Sequence, residues 1–337
     1  MKEVVEALRS AKRVAIVSHR DPDGDTIGSA VALGLALESL GKQVTLHCAD
    51  PVPSSFAFIR GTDRIRSDAP DLEADVLVTV DLGDLSRAKL ALRTGMTLIN
   101  IDHHASNTRF GTIDWVDATS AATGEMVARL IDALGAQWTP AMATATLLAI
   151  MTDTGSFQFP NTDGRVLELA ARCVSRQADL SAITYNVFRS RRFEATKLWG
   201  QAFARIQRDL DGELVWTWIG REDLEGAGGR DEDATGLIEQ IARSTGMRVA
   251  LLFNGVVPGE VKVSCRTVPF APLVDAAALM GGFGGGGHAR AAGAIVRGTV
   301  DEVSERVLAE ARAALQAALQ AAAQADPPQR AAGLASS

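Results

Sequence analysis

The sequence predicts an α/β protein: an N-terminal domain with a doubly wound, mostly parallel sheet, followed by a smaller C-terminal α/β domain. Apolar, strand-like runs alternate with helical patterns up to about residue 180. A basic helical pattern then interrupts this alternation, and strand and helix patterns resume beyond residue 208. At 337 residues the chain is long enough for two cores, since single domains mostly span about 100 to 200 residues.

In the first domain, residues 1–180, strand and helix patterns follow one another in turn. The Val- and Ile-rich runs predict strands at 14–18, 44–48, 76–80 and 98–101. The helical patterns cover 26–40, 124–134 and 141–151. Because buried-type strands that alternate with helices are typical of parallel sheets, we expect helices on both faces of this sheet.

A basic pattern at 181–208 predicts a helical connector to the second domain, 209–324. Strands are predicted there at 214–219, 249–253, 261–265 and 294–297, and helices at 237–244, 273–280 and 303–323. Residues 325–337 are rich in Ala, Pro and Ser and predict a disordered tail. We expect the active site in the cleft between the two domains.

Composition excludes several classes of protein. A net charge of −7 argues against a protein that coats long nucleic acid, which normally presents a basic face. The chain contains no apolar run of about 18 residues and no apolar block near its start, which predicts a cytoplasmic protein without a membrane segment. Cys48, Cys173 and Cys265 are odd in number and far apart, so they predict core residues rather than disulfides or a thiolate zinc site.

Acidic and histidine side chains gather where the predicted elements end. They follow the first strand, the strand "VLVTV", the strand "LINI" and the helix that ends in "IMTD". The residues are His19, Asp23, Asp25, Asp81, Asp102, His103, His104 and Asp153. One such aspartate is usually a turn former or a helix cap, but the carboxyl ends of parallel strands meet at one edge of a sheet. Oxygen and imidazole ligands without thiolates predict a paired-metal site for Mn²⁺, with Mg²⁺ or another divalent ion as the alternative.

The glycine-rich stretch "GGFGGGGH", residues 281–288, predicts a ligand-binding loop. Glycine loses much backbone entropy on ordering, so we expect neither a helix interior nor a strand here. A flexible linker is the alternative, but the stretch lies inside a predicted domain. Such a loop lets backbone N–H groups approach a phosphate or a nucleobase closely. The predicted substrate-binding residues are Ser264, Arg266, Gly285, Gly286, Gly287 and His288.

Six stretches together resemble the DHH phosphoesterases. "SHRDPDGDTIGSA", "VTVDLGD", "NIDHHASN" and "MTDTGSF" are similar to the four successive motifs of this family, and "VSCRT" and "GGFGGGGHARAAG" are similar to its DHH-associated domain. The resemblance runs from about residue 14 to about residue 298 and is greatest to the branch of oligoribonucleases and 3′-phosphoadenosine 5′-phosphate phosphatases, the nanoRNases.

The resemblance implies a role for each motif residue. It assigns His19 and Asp23 to one Mn²⁺, and Asp25, His103 and Asp153 to a second. Asp81 bridges the two ions, whose shared water attacks phosphorus. His104 faces the substrate phosphate, and Asp102 orients a histidine from behind. Arg266 and His288 contact the far end of the substrate.

The implied substrates are short single-stranded RNA or DNA oligonucleotides and nucleoside 3′,5′-bisphosphates. A cyclic dinucleotide is left open as a further substrate, as is a homodimer as the assembly. Two other functions are weighed: a manganese inorganic pyrophosphatase, disfavoured because that group carries a different second domain, and a nucleotide sensor without turnover. A clamp on one end of the substrate also predicts a preference for very short oligonucleotides.

Overall fold

The computed structural model describes residues 1–67, 73–90, 95–268 and 274–325. The chain divides into two compact units, Met1–Ser190 and Arg191–Ser337. Most of the predicted tail, 326–337, lies outside the described residues. In the part of the chain that is described, no helix has both the length and the apolar character needed to cross a membrane.

The first unit is built on a sheet whose described strands number six and all run parallel, in the order β3-β2-β1-β4-β5-β6. The strands are β1 Arg13–Ser18, β2 Gln43–Cys48, β3 Ile65–Arg66, β4 Val76–Val80, β5 Thr97–Asp102 and β6 Ile113–Val116. The helices are α1 Lys2–Ser10, α2 Gly24–Ser39, α3 Thr123–Leu134, α4 Pro140–Asp153, α5 Gly164–Ser175 and α6 Leu180–Ile183. The predicted parallel sheet is confirmed.

The two faces of this sheet are covered differently. On one face, Val14 and Ile16 of β1 join the large core formed with α1, α2, α3 and α4. On the other face, Ala15 and Val17 belong to a smaller cluster that includes Ala88. Leu85–Ala88, a 3-10 turn in the connection from β4 to β5, contributes to that cluster.

The second unit contains a mixed sheet with α-helices on both faces. Its described strands lie in the order β11-β12-β10-β9-β8-β7, and only β8 and β9 pair in parallel. The strands are β7 Gln207–Asp209, β8 Leu214–Gly220, β9 Val249–Gly255, β10 Glu260–Thr267, β11 Gly286–His288 and β12 Ala291–Arg297. The helices are α7 Phe193–Ala204, α8 Arg221–Ala227, α9 Leu237–Ile241, α10 Ala276–Gly281 and α11 Val300–Ala325. This arrangement confirms the predicted second α/β domain.

The basic segment that predicted one helical connector is not a single helix. A π-helical turn, Thr184–Arg189, follows α6, and α7 begins only at Phe193. Ser190 and Arg192 between them have extended backbone angles, with ψ values of 134° and 148°. The division between the two units falls in this break, between Ser190 and Arg191.

The glycine-rich stretch also differs from its prediction, because Gly286–His288 forms the edge strand β11. Gly287 pairs with Ala292 of β12. A Cβ atom on Gly285 would lie 2.2 Å from the carbonyl oxygen of Gly293, and one on Gly287 would lie 2.5 Å from that of Ala291. Gly287 also has a φ of +141°. The expectation that glycine excludes a strand was therefore wrong, since only glycine allows this approach to β12.

Candidate metal centre

The predicted ligands of the first unit come together at the carboxyl ends of β1, β4 and β5, where ligands bind in open parallel sheets. His19 follows β1, Asp81 follows β4, and His103 follows β5. Asp81 has a left-handed φ of +58°, a conformation that aspartate tolerates better than most residues. This sharp turn marks Asp81 as a residue held in place by its surroundings.

One ligand set combines His19, Asp23 and Asp81, whose ligand atoms all lie within 4.8 Å of one another. The Nε2 atom of His19 lies 3.4 Å from Oδ2 of Asp81 and 3.9 Å from Oδ2 of Asp23. The other oxygen of Asp23 caps α2 by accepting a hydrogen bond from the Thr26 N–H at 3.0 Å. Asp23 is therefore both a helix cap and a candidate ligand.

A second set combines Asp25, His103 and Asp153, again with ligand atoms within 4.8 Å of one another. The Nε2 atom of His103 lies 3.1 Å from Oδ2 of Asp153 and 3.9 Å from Oδ2 of Asp25. It lies 3.6 Å from Oδ1 of Asp81. The two oxygens of Asp81 therefore face different sets, Oδ2 towards His19 and Oδ1 towards His103.

The start of α3 holds Asp25 in place. The backbone N–H groups of Thr123 and Gly124 donate to its two oxygens at 2.7 and 2.8 Å. The hydroxyl of Ser29 donates to Oδ1 at 3.1 Å, and the hydroxyl of Thr123 donates to Oδ1 of Asp81 at 3.1 Å. Because each carboxylate oxygen has two lone pairs, these bonds orient Asp25 and Asp81 while leaving acceptor capacity for a cation.

The local electrostatics fit a divalent cation. Burial raises the pKa of Asp25 well above its ordinary value, and the charges of Asp81 and Asp153 raise it further. Burial also raises the pKa of Asp153, to about 6, against the hydrogen bond with His103. For His103, burial favours the neutral ring, but the Asp153 hydrogen bond and nearby carboxylates raise its pKa to about 11. The charge of these buried carboxylates must be neutralised, either by bound protons or by bound cations that replace the protons.

Asp81 behaves differently from its neighbours. Burial alone raises its pKa, but the hydrogen bond with His19 and the charges of His104 and His103 outweigh burial and lower the pKa below its ordinary value. Asp81 is therefore ionised at the centre of the cluster. Asp81 is thus a buried carboxylate whose two oxygens face the two candidate ligand sets.

Next to the ligand sets, Asp102, His104 and Asn107 form a hydrogen-bonded chain. Nδ1 of His104 lies 2.7 Å from Oδ1 of Asp102, and the Asn107 amide donates to Oδ2 of Asp102 at 2.5 Å. Asn107 also donates to the carbonyl of Leu82 and accepts from the Asn100 amide, each at 3.0 Å. Burial opposes protonation of His104, but the Asp102 hydrogen bond raises the pKa of His104 above its ordinary value.

The predicted substrate-binding residues of the second unit lie on β10 and β11. Ser264 and Arg266 project from the same face of β10, opposite its buried Val263 and Cys265. The Arg266 guanidinium donates to Oε1 of Glu239 at 2.6 Å. The arginine that is predicted to bind a substrate phosphate is therefore paired with a carboxylate in this structure. Gly286, Gly287 and His288 form β11, and Gly285 directly precedes it.

Sequence reasoning missed several residues that support the first unit's site, among them Arg87, Ser120, Thr123 and Asn107. The Arg87 guanidinium lies 3.2 Å from Nδ1 of His19, and the Ser120 carbonyl lies 3.3 Å from Nδ1 of His103. Thr123 and Asn107 hold carboxylates, as described above. Asn107 lies within the quoted motif "NIDHHASN", so a polar residue close to the histidines was a usable signal. The others are distant in sequence from the residues they contact and gave no local signal.

Comparisons with known proteins identify the family of this chain. Residues 13–151 match the DHH family, N-terminal domain, and residues 215–321 match the DHHA1 domain. The chain is 36% identical to the "Bifunctional oligoribonuclease and PAP phosphatase NrnA" of Thermus thermophilus, over 93% of each protein. It is 24% identical to the protein of the same name from Bacillus subtilis, over 91% of this chain and 96% of the relative.

Among solved structures, the fold is similar to the crystal structure of an exopolyphosphatase-related protein from Bacteroides fragilis. The TM-score is 0.82 at 23% identity, and the match covers 92% of this chain and 95% of the other. This likeness supports the fold assigned to both units. The matches confirm the family that the sequence predicted and, with it, a hydrolase acting on phosphoric esters: the chain belongs to the DHH family and carries a DHHA1 domain.

Proposed function

We propose that this protein hydrolyses short oligoribonucleotides to mononucleotides and removes the 3′-phosphate of 3′-phosphoadenosine 5′-phosphate. Two relatives from different bacteria that match more than nine-tenths of the chain are named for both activities. The observation that carries the proposal is the position of Asp81, whose oxygens lie 3.4 Å from His19 and 3.6 Å from His103 in separate ligand sets.

The donor set fits two divalent cations. His19, Asp23 and Asp81 would hold one, and Asp25, His103 and Asp153 the other, with Asp81 shared. Carboxylate and imidazole donors without thiolate favour Mn²⁺, with Mg²⁺ as the alternative. When bound, such a pair lowers the pKa of a water and offsets the charge of the phosphate. The cations also supply the positive charge that a chain of net charge −7 needs to bind an anion.

The side chains beside the ligand sets orient the substrate and move a proton. Asp102 accepts from Nδ1 of His104, which fixes the ring and directs its Nε2 atom to the substrate. The raised pKa of His104 favours the protonated ring, which can donate to the leaving oxygen or stabilise charge on the phosphate. Asn107 holds Asp102 and therefore acts on the reaction through this pair.

The second unit would bind the other end of the substrate. Arg266 has the planar fork that suits a terminal phosphate, and it would exchange Glu239 for that phosphate on binding. Ser264 shares its face of β10, while the backbone of Gly285, Gly286 and Gly287 and the side chain of His288 would approach the same nucleotide. Recognition of a terminal phosphate would favour short substrates, in which a larger share of the nucleotides is terminal.

The proposal is tested by product release with Mn²⁺ present, comparing 3′-phosphoadenosine 5′-phosphate, diadenosine RNA, a cyclic dinucleotide and pyrophosphate. We expect turnover of the first two, lost in Asp81→Ala. Pyrophosphate as the sole substrate would contradict the proposal, and tight nucleotide binding without turnover would indicate a sensor. A dinucleotide should also be cleaved at least about tenfold faster than an RNA of about 24 nucleotides, if the enzyme recognises an end of its substrate.

A further inference from the structure

The loop that follows Asp153 has an unusual backbone. Gly155, Ser156 and Phe157 have consecutive left-handed φ values of +55°, +59° and +66°. Residues other than glycine rarely adopt this conformation, and the cost is greatest for bulky side chains. Backbone strain of this kind gathers at ligand-binding positions, because the surrounding structure must hold it in place.

Local hydrogen bonds hold this backbone. The Ser156 N–H donates to the carbonyl of Met151 at 2.6 Å, and the Phe157 N–H donates to the hydroxyl of Thr154 at 3.1 Å. The Phe159 N–H donates to the carbonyl of Thr154 at 3.0 Å. As a result the two aromatic side chains diverge: Phe157 packs against the core of the first unit, whereas Phe159 is 47% exposed.

The outer end of the Phe159 ring lies against Gly155. A Cβ atom at position 155 would come within 2.5 Å of the ring, so only glycine leaves room for it. Gly155 is two residues after the candidate ligand Asp153. The outer end of the ring thus lies against the main chain two residues after a candidate ligand, and about half of the residue is open to solvent, with an exposed fraction of 47%.

The same loop is tied to the backbone that positions the ligands. The side-chain amide of Asn161 donates to the carbonyl of Asp153 at 3.1 Å and to the carbonyl of Ala121 at 3.0 Å. Ala121 lies between Ser120, whose carbonyl contacts His103, and the start of α3, which holds Asp25. The loop that carries Phe159 is therefore tied at Asn161 to the backbone of the candidate ligand Asp153.

We propose that Phe159 is a stacking platform for a nucleobase of the substrate. The inference rests on the proposed function and adds a residue that selects nucleotides over other phosphate esters. A large exposed aromatic ring in the loop that follows the candidate ligand Asp153 has a natural partner in a nucleobase, since every base presents a flat π-face. Gly155 leaves the space that this position of the ring requires.

The test compares Phe159→Ala and Phe159→Tyr on diadenosine RNA and on an otherwise identical dimer that lacks both bases. Phe159→Ala should lower kcat/KM for diadenosine RNA by at least about fivefold, mainly through KM, because stacking energy is lost. The dimer without bases should be cleaved equally by the variant and the parent. Phe159→Tyr keeps the ring and should retain most of the activity on both.

Tyr185→Ala is the matched control, since it removes another exposed aromatic side chain of the first unit, 62% exposed, and should leave both rates unchanged. If Phe159→Ala lowers kcat/KM equally for both dimers while Mn²⁺ binding is unchanged, the role of Phe159 is purely structural and the inference is overturned. The inference is also overturned if kcat/KM falls for neither dimer. If the parent protein cleaves neither dimer in the presence of Mn²⁺, the proposed function itself fails.

Discussion

Replacement of Gly28 by alanine tests how closely the metal centre depends on the packing of α2 against α4. A Cβ atom at Gly28 would lie 2.4 Å from the carbonyl oxygen of Ala145 and 3.0 Å from the Cβ atom of Ala149. Because real Cβ atoms essentially never approach closer than 3.0 Å, the helices must separate by at least about 0.6 Å, the difference between 3.0 and 2.4 Å. These helices carry Asp25 and Asp153, so the second ligand set must widen.

We expect Gly28→Ala to lower kcat/KM more strongly than it lowers the stability of the protein. Overpacking costs about 1 to 3 kcal/mol, and alanine in a helix recovers about 1 kcal/mol relative to glycine, which leaves a net loss of about 0 to 2 kcal/mol. Functional sites tolerate displacements of only about 0.5 Å. Since a shift of about 1 Å can lower a rate about 100-fold, we expect kcat/KM to fall at least about tenfold.

The assay combines urea denaturation, Mn²⁺ titration and steady-state hydrolysis of diadenosine RNA. Gly200→Ala in α7 is the control, because a Cβ atom there meets nothing within 4 Å and the variant should be as stable as the parent or more so. A Gly28→Ala protein with the parent's stability, Mn²⁺ affinity and turnover would refute the argument that this glycine sets the spacing of the ligands.

Three further predictions concern the hydrogen bonds and protons of the first unit. Asn107→Ala removes the donor to Asp102 and should lower kcat by about 10- to 100-fold with a smaller change in Mn²⁺ affinity; an unchanged kcat in steady-state assays contradicts this. Mn²⁺ binding at pH 7 should release protons, because His103, with its pKa raised to about 11, must lose its proton to become a ligand. Calorimetry in buffers of different protonation enthalpy measures the number of protons released, and Mn²⁺ binding without proton release would contradict the prediction. Hydrogen bonds, first that of Thr119, lower the pKa of Asp117, so its stabilising effect is present above about pH 4 and is lost as pH falls. Asp117→Asn should therefore be less stable than the parent at pH 7 and approach it in acid, whereas a growing difference in acid unfolding would contradict this.

The sheet and the grouping of the candidate ligands were predictable because both depend on local patterns. Apolar runs and helical periods gave the order of elements, and the rule that ligands gather at the carboxyl ends of parallel strands brought His19, Asp81 and His103 together before any coordinates. Asp153 was added to this group because it lies at the end of a predicted helix in "IMTD". These residues carry side-chain chemistry that is visible in a sequence.

The supporting contacts were not predictable, because they join positions far apart in the chain. The backbone N–H of Thr123 donates to Asp25, which is 98 residues away in sequence, and the Arg87 guanidinium contacts His19, which is 68 residues away. The left-handed φ of Asp81 depends on the packing around it. The strand at Gly286–His288 was missed because the entropy cost of glycine was weighed without the close approach of β12 that only glycine permits.

The central claim is that two neighbouring cation sites share Asp81. Titration of the metal-free protein with Mn²⁺, followed by electron paramagnetic resonance, measures both the number of bound ions and the magnetic coupling between them. We expect two ions per chain with a spin-coupled spectrum, and loss of the coupling in Asp81→Asn. A single bound ion, or two ions with independent signals in the parent protein, would contradict the account.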